Sequence, residues 1–213
     1  MLTRRAFALA PLAAALPARA GESRLVVAGG GIAEIVCALG APARIAGVDS
    51  TALFPTALRR LPQIGYLRNL GAEGVLSLRP DLLLAAHEAG PPEAIAQLER
   101  AGVRIVRIAR IHDPASLAEA VRMVAAALDR VAEGERLAAA LAADFAALAR
   151  FVAAPPSRPR VVFVLAIGGG APQAAGRETA ADAMLALCGA ENVVAAYRGY
   201  RPVSAESLLA ASP

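Results

Sequence analysis

The sequence predicts an α/β protein of two lobes with parallel sheets, joined by a long linking helix. Three observations predict it. Short Val- and Leu-rich runs at 24–28, 81–86 and 160–165 read as buried parallel strands. Glycine turns and helical patterns follow the first and last of them, the alternation that builds a parallel sheet with crossover helices. An alanine-rich helical region separates two halves that begin alike. Each lobe is therefore expected to be Rossmann-like, with residues 21–113 forming the first, 114–158 the linking helical region and 159–213 the second.

The chain opens with MLTRRAFALAPLAAALPARA, residues 1–20. Arg4 and Arg5 give a basic start, 6–16 an apolar run, and Ala18-Arg19-Ala20 a small-x-small cleavage site, the pattern of a secretory signal peptide. The run is too short to span a bilayer, which takes about 20 residues. TRRAF also fits a twin-arginine signal. The expectation is an exported chain with no membrane insertion once the signal is removed. The signal carries three arginines and no acids, so the remainder holds 19 basic against 18 acidic side chains. The formal charge of +4 thus lies mostly in the signal and gives no support to nucleic-acid binding. Cys37 and Cys188 sit in apolar helical contexts and are expected as buried free thiols. No Cys/His spacing suits a metal site.

In order along the chain, RLVVAGGGIAEIVCALG (24–40) reads as strand, glycine turn and helix. GYLRNLGAEGVLSLRPD (65–81) reads as a turn and a short helix, and DLLLAAH (81–87) as a buried strand. PASLAEAVRMVAAALDRVA (114–132) starts a helix behind Asp113, a candidate N-cap with proline at the first helical position. Gly134 is expected to weaken the middle of the region. Residues 135–154 then place Leu137, Leu141, Phe145, Leu148 and Val152 on one stripe, a stiff connection that ends at PPSRP (155–159).

The second half repeats the first. Residues 160–189 again read as strand, glycine turn and helix, with Thr179 and Asp182 resembling a capping box. GYRPVSAESLLAASP (199–213) parallels 65–81: Gly-Tyr recurs, an arginine follows within two residues, and Ala-Glu opens a short helix before a proline. In the first half a strand follows; in the second the sequence stops at Pro213. The repeat predicts that at least one further strand belongs after it. Ligands of parallel sheets bind at the carboxyl ends of the strands. In the first lobe those ends are 29–31, 62–70 and 87–92; in the second, 168–175 and 197–202. Facing each other, they would line a cleft.

The glycine runs do not read as nucleotide sites. Glu34 stands where a dinucleotide fingerprint needs its third glycine, and a carboxylate there repels pyrophosphate. GGGAPQAAGR (168–177) lacks the Lys-Ser/Thr of a P-loop. Two histidines and no G-x-S-x-G leave little for a hydrolase.

What remains is Tyr66, one of three tyrosines, set in a glycine-flanked turn two residues before Arg68. On the residues alone, a phenol packed on a lobe surface with its hydroxyl hydrogen-bonded is favoured over a ligand role. A resemblance adds to this. VVAGGGIAEIVCALGA (26–41), GVDSTALFP (47–55), LPQIGYLRNLGAEGVLSLRPDLLLA (61–85), AAGRETAADAMLALCGAENV (174–193) and GYRPVSAESLLAASP (199–213) resemble the periplasmic haem-binding proteins of bacterial ABC haem importers. These belong to the helical-backbone metal-receptor superfamily, which also holds cobalamin and siderophore binders.

The resemblance implies a periplasmic substrate-binding protein that is not an enzyme. Haem would be its transported ligand and an ABC transporter permease its partner, with no nucleic acid. It implies Tyr66 as the axial iron ligand, bound as phenolate, with Arg68 in support. Arg177 and Arg201 become candidates for the haem propionates, and Tyr197 and Tyr200 for stacking on the macrocycle. Glu73 and Glu206, at matching repeat positions, become the transporter-docking acids of the two lobes; both equally suit a first helical turn. Family members with a second-lobe histidine carry it in the loop after the first strand, where LAIGGGAPQ has none. That departure argues against two protein ligands and against a second haem. His87, beyond DLLLAA, is a possible substitute or a solvated loop residue, and His112 is read as structural. The alternatives are a cobalamin or ferric-siderophore binder of the same fold, and an exported nucleotide-dependent enzyme.

Overall fold

The computed structural model describes residues 24–153, 157–168 and 170–213. The signal-like segment 1–20 lies outside the described residues. The first lobe is built on a four-stranded parallel sheet of order β2-β1-β3-β4, with β1 Leu25–Ala28, β2 Ile45–Val48, β3 Leu82–Ala86 and β4 Arg104–Ile108. Between these run helices α1 (Gly30–Ala38), α2 (Ala72–Ser77) and α3 (Pro92–Arg100), and after them α4 (Pro114–Ala127).

Strand alternation sorts the core into two layers. Leu25, Val27, Leu82 and Leu84 face one way and pack with α1 and α4 residues such as Ile32, Val36, Val121 and Val124. Val26, Ala28, Leu83 and Ala85 face the other way, against Val75 of α2 and Ile95 and Leu98 of α3. Burial on both faces is why the strands read as unbroken apolar runs. Parallel pairing brings all four carboxyl ends to one edge.

The start of α4 and two glycine stops expected from sequence are present, but the linking region breaks after Ala127 and not at Gly134, which lies inside α5 (Val131–Ala153). Asp113 caps α4 through Ser116 in a reciprocal box, with Pro114 at the first position. Gly40 and Gly189 follow their helices with φ of +74° and +72°, the left-handed stop that favours glycine. Helix α5 carries the linking stripe: Leu137, Leu141, Phe145, Leu148 and Val152 are half-buried, and Ala138 beside Leu137 is buried.

Two expectations are corrected. Gly134 does not weaken a helix middle but is buried at a helix crossing, where an added Cβ would sit 2.4 Å from the Ala125 Cβ. Helix α4 buries its Val and Ala face in the first sheet's core, and the stripe expected over 135–154 falls in α5. Cys37 and Cys188 are free thiols, but Cys37 is only half-buried and Cys188 is exposed.

The second unit keeps one parallel pair, β5 (Arg160–Val161) with β8 (Glu191–Asn192). The strand–turn–helix expected over 160–189 takes a different form. Strands β6 (Val164–Gly168) and β7 (Gly170–Ala175) fold back as an antiparallel hairpin, and β9 (Tyr200–Pro202) pairs antiparallel with β7. Gly168 and Gly170 therefore pair across antiparallel strands instead of opening a helix. Helix α6 (Ala180–Leu187) starts behind Thr179, whose hydroxyl accepts from Asp182 N–H. Helix α7 (Ala205–Ala211) starts behind Ser204, which accepts from Ser207 N–H.

Candidate ligand-binding cleft

The carboxyl ends of the first sheet enclose a cleft of about 390 Å³. Its walls come from the glycine turn after β1, Thr51 after β2, Tyr66–Arg68, His87 and Glu88 after β3, and Ala109 and Ile111 after β4.

The glycine turn is held from behind. Asp49 is fully buried. Its carboxylate accepts from Gly29 N–H at 2.8 Å and from the Thr51 N–H and hydroxyl at 3.1 Å each. The Thr51 oxygen in turn accepts from Gly30 N–H at 2.9 Å. The amides that a dinucleotide turn would offer to pyrophosphate thus already have partners. Gly30 is required by protein packing, since a Cβ there would lie 2.4 Å from the Thr51 carbonyl oxygen. Gly31, by contrast, has open space beside it. Sequence reasoning missed Asp49 and Thr51. Their signal was a polar Asp-Ser-Thr run at the end of a strand adjacent to the glycine turn.

Tyr66 stands on a turn fastened at several points. Gly65 adopts φ of +90°, a conformation that disfavours any side chain there. Its carbonyl accepts from Ser50 N–H at 2.8 Å. Gly90 N–H donates to Leu67 O and Leu70 N–H to Gly90 O, at 2.9 and 2.7 Å. Between these fixed points the Tyr66 side chain is 46 % exposed at the cleft. Arg68 lines the same cleft, exposed, with no hydrogen bond or ion pair among the described residues.

His87 is engaged on both ring nitrogens. Nδ1 abuts Glu88 Oε2, an oxygen otherwise without a partner among the described residues. Nε2 accepts from Arg110 Nε at 3.2 Å. Ligation of a metal by either nitrogen would cost an existing contact. His112 flanks the start of α4, with Nδ1 3.2 Å from Arg110 O and Nε2 3.4 Å from Asp113.

The structure brings Tyr66, Arg68 and His87 together. It does not bring Arg177, Tyr200 or Arg201 into this lining. Arg177 pairs with Asp182 at 3.5 Å, and Arg201 lies over the Tyr197 ring at 5.3 Å. Tyr200 opens β9 with its side chain half exposed, and the Tyr197 hydroxyl donates to Ala174 O. Glu73 and Glu206 are both exposed in the first turns of α2 and α7. The repeat that relates them also shows in the backbone, where Gly199 has φ of +77° against +90° at Gly65.

A family model described as periplasmic binding protein matches residues 25–213. Among solved structures, the chain is similar to the periplasmic heme-binding protein RhuT from Roseiflexus sp. RS-1, at 40 % identity and a TM-score of 0.86, covering 91 % of this chain and 74 % of that one. It is similar to the periplasmic heme-binding protein BhuT in complex with two hemes, at 43 % identity and a TM-score of 0.86, covering 91 % and 75 %. Among curated proteins it is 27 % identical to a vitamin B12-binding protein of Salmonella typhi over 78 % of this chain and 62 % of that protein. The chain spans 58–62 % of the length of the curated relatives it matches.

Proposed function

Because the chain belongs to the periplasmic binding protein family, we propose that it is an exported substrate-binding protein that captures haem between its lobes and delivers it to an ABC importer. One observation carries the choice of ligand: Tyr66 is an exposed phenol on a fastened turn at the cleft, and Arg68, which lines the same cleft, has no partner among the described residues. Tyrosine is an established axial donor to haem iron. Ile32, Ala86 and Ile108 give the same cleft an apolar wall suited to a flat macrocycle. The similarity at 40 and 43 % identity to proteins named as heme-binding supports the same choice.

Arg68 is available for a propionate or the phenolate without breaking any contact among the described residues. Arg177 and Arg201 would each exchange an existing partner, Asp182 or the Tyr197 ring, for a propionate. They act in this proposal as contributors from the second lobe, with Tyr200 beside them, and rank below Arg68. Glu73 and Glu206 serve as the docking acids toward the permease. The family and its solved neighbours are substrate-binding transport proteins, not enzymes.

The similarity to a vitamin B12-binding protein favours cobalamin as the second reading. Parallel titrations with haemin and cyanocobalamin separate the two. The expected result is saturable haemin binding with a tyrosinate-type charge-transfer band, and no saturable binding of cyanocobalamin. Binding of cyanocobalamin in preference to haemin overturns the proposal.

A further inference from the structure

A second cavity of about 710 Å³ adjoins the cleft, between α1, α4, α5 and the 54–55 turn. Its lining is almost wholly apolar and includes Ile35, Phe54, Leu117 and Leu141. Gly31 and Ile111 line both cavities. A Cβ at Gly31 would meet nothing within 4 Å, so space is open where the two meet. Beside that opening, Phe54 is 63 % and Ile111 38 % exposed. Large apolar side chains left in water at the mouth of a ligand cleft await apolar surface.

On the reading that the cleft takes haem, we infer that this groove receives the vinyl-bearing edge of the macrocycle, so that Phe54 and Ile111 fix the ligand's orientation and its selectivity. Charge sorts the two edges. Among the described lining residues of the groove the one charged group is Glu34, which repels propionates, while Arg68 lines the cleft and not the groove. A ligand fringed all round by amides or carboxylates would have to desolvate polar groups to enter, at a cost that apolar contacts do not return.

The test compares haemin with iron(III) deuteroporphyrin, which carries hydrogen in place of both vinyls. The natural chain is expected to prefer haemin on the order of tenfold, from the apolar area of the vinyls. Ile111→Ser and Phe54→Ser should bring the preference to within about twofold while the Tyr66-dependent band stays. Gly31→Val, for which there is room, should block the opening and have the same effect. Folding of each variant is checked by circular dichroism. A preference unchanged in all three variants overturns the groove assignment and leaves haem binding standing. Absence of haemin binding by the natural chain overturns the haem reading and this inference with it.

Discussion

Asp49 and Gly65 shape the cleft without facing a ligand. Asp49→Ala would orphan the buried Gly29 N–H and the Thr51 groups, and leaving such a group unsatisfied costs about 1–3 kcal/mol. A lower urea midpoint with an unchanged slope is the expected result, together with weaker ligand binding as the glycine turn loosens; an unchanged midpoint would contradict the role given to this carboxylate. The two thiols offer a second measurement. Burial, and secondarily the charge of Glu34, push the Cys37 thiol above its ordinary range. A raised thiol pKa means less thiolate at any pH below it, and the thiolate is the nucleophile. At pH 8.5 the exposed Cys188 should therefore be alkylated faster than Cys37. Glu34→Gln should speed Cys37 alone. Equal rates for the two cysteines, read by peptide mass spectrometry, would contradict the burial account.

Gly134 shows how an element can mislead when read in isolation. Glycine inside a helix ordinarily costs about 1 kcal/mol relative to alanine, which makes Gly134→Ala look stabilising. Here the new methyl would overlap Ala125, and overpacking of this kind costs about 1–3 kcal/mol. Thermal stability should fall, and the added substitution Ala125→Gly should recover most of it; a rise in the single variant would mean the helices part freely. The α5 stripe and strands β1 and β3 were legible because period and burial agree along each segment, whereas β2 and β4 were not read, β4 because Arg104 and Arg107 interrupt its apolar run. The β6–β7 hairpin was not, since a strand followed by three glycines reads alike whether the chain turns into a helix or back on itself. Tyr66 and Arg68 were legible as a pair because they are two residues apart and share one turn. Asp49 was not, because its partner Gly29 is twenty residues away and meets it only after β1 and β2 pair. Arg177 and Arg201 have the residue type a propionate needs, but their present partners come from packing within the second unit, which no spacing announces.

At the scale of the molecule, one acid on each unit, Glu73 and Glu206, stands exposed at a helix start. Glu73→Arg with Glu206→Arg should leave haemin affinity unchanged and lower transporter-coupled uptake further than either change alone. Normal uptake by the double variant would remove these residues from docking. The central claim is that capture of haem depends on a single phenolate donor. Its most direct measurement is a haemin titration of the natural chain and of Tyr66→Phe, followed across the visible spectrum. Phenylalanine keeps the ring and removes the oxygen. The account predicts that the charge-transfer band disappears in Tyr66→Phe and that affinity falls at least tenfold, whereas Tyr200→Phe retains both. An identical spectrum and affinity in Tyr66→Phe would contradict it.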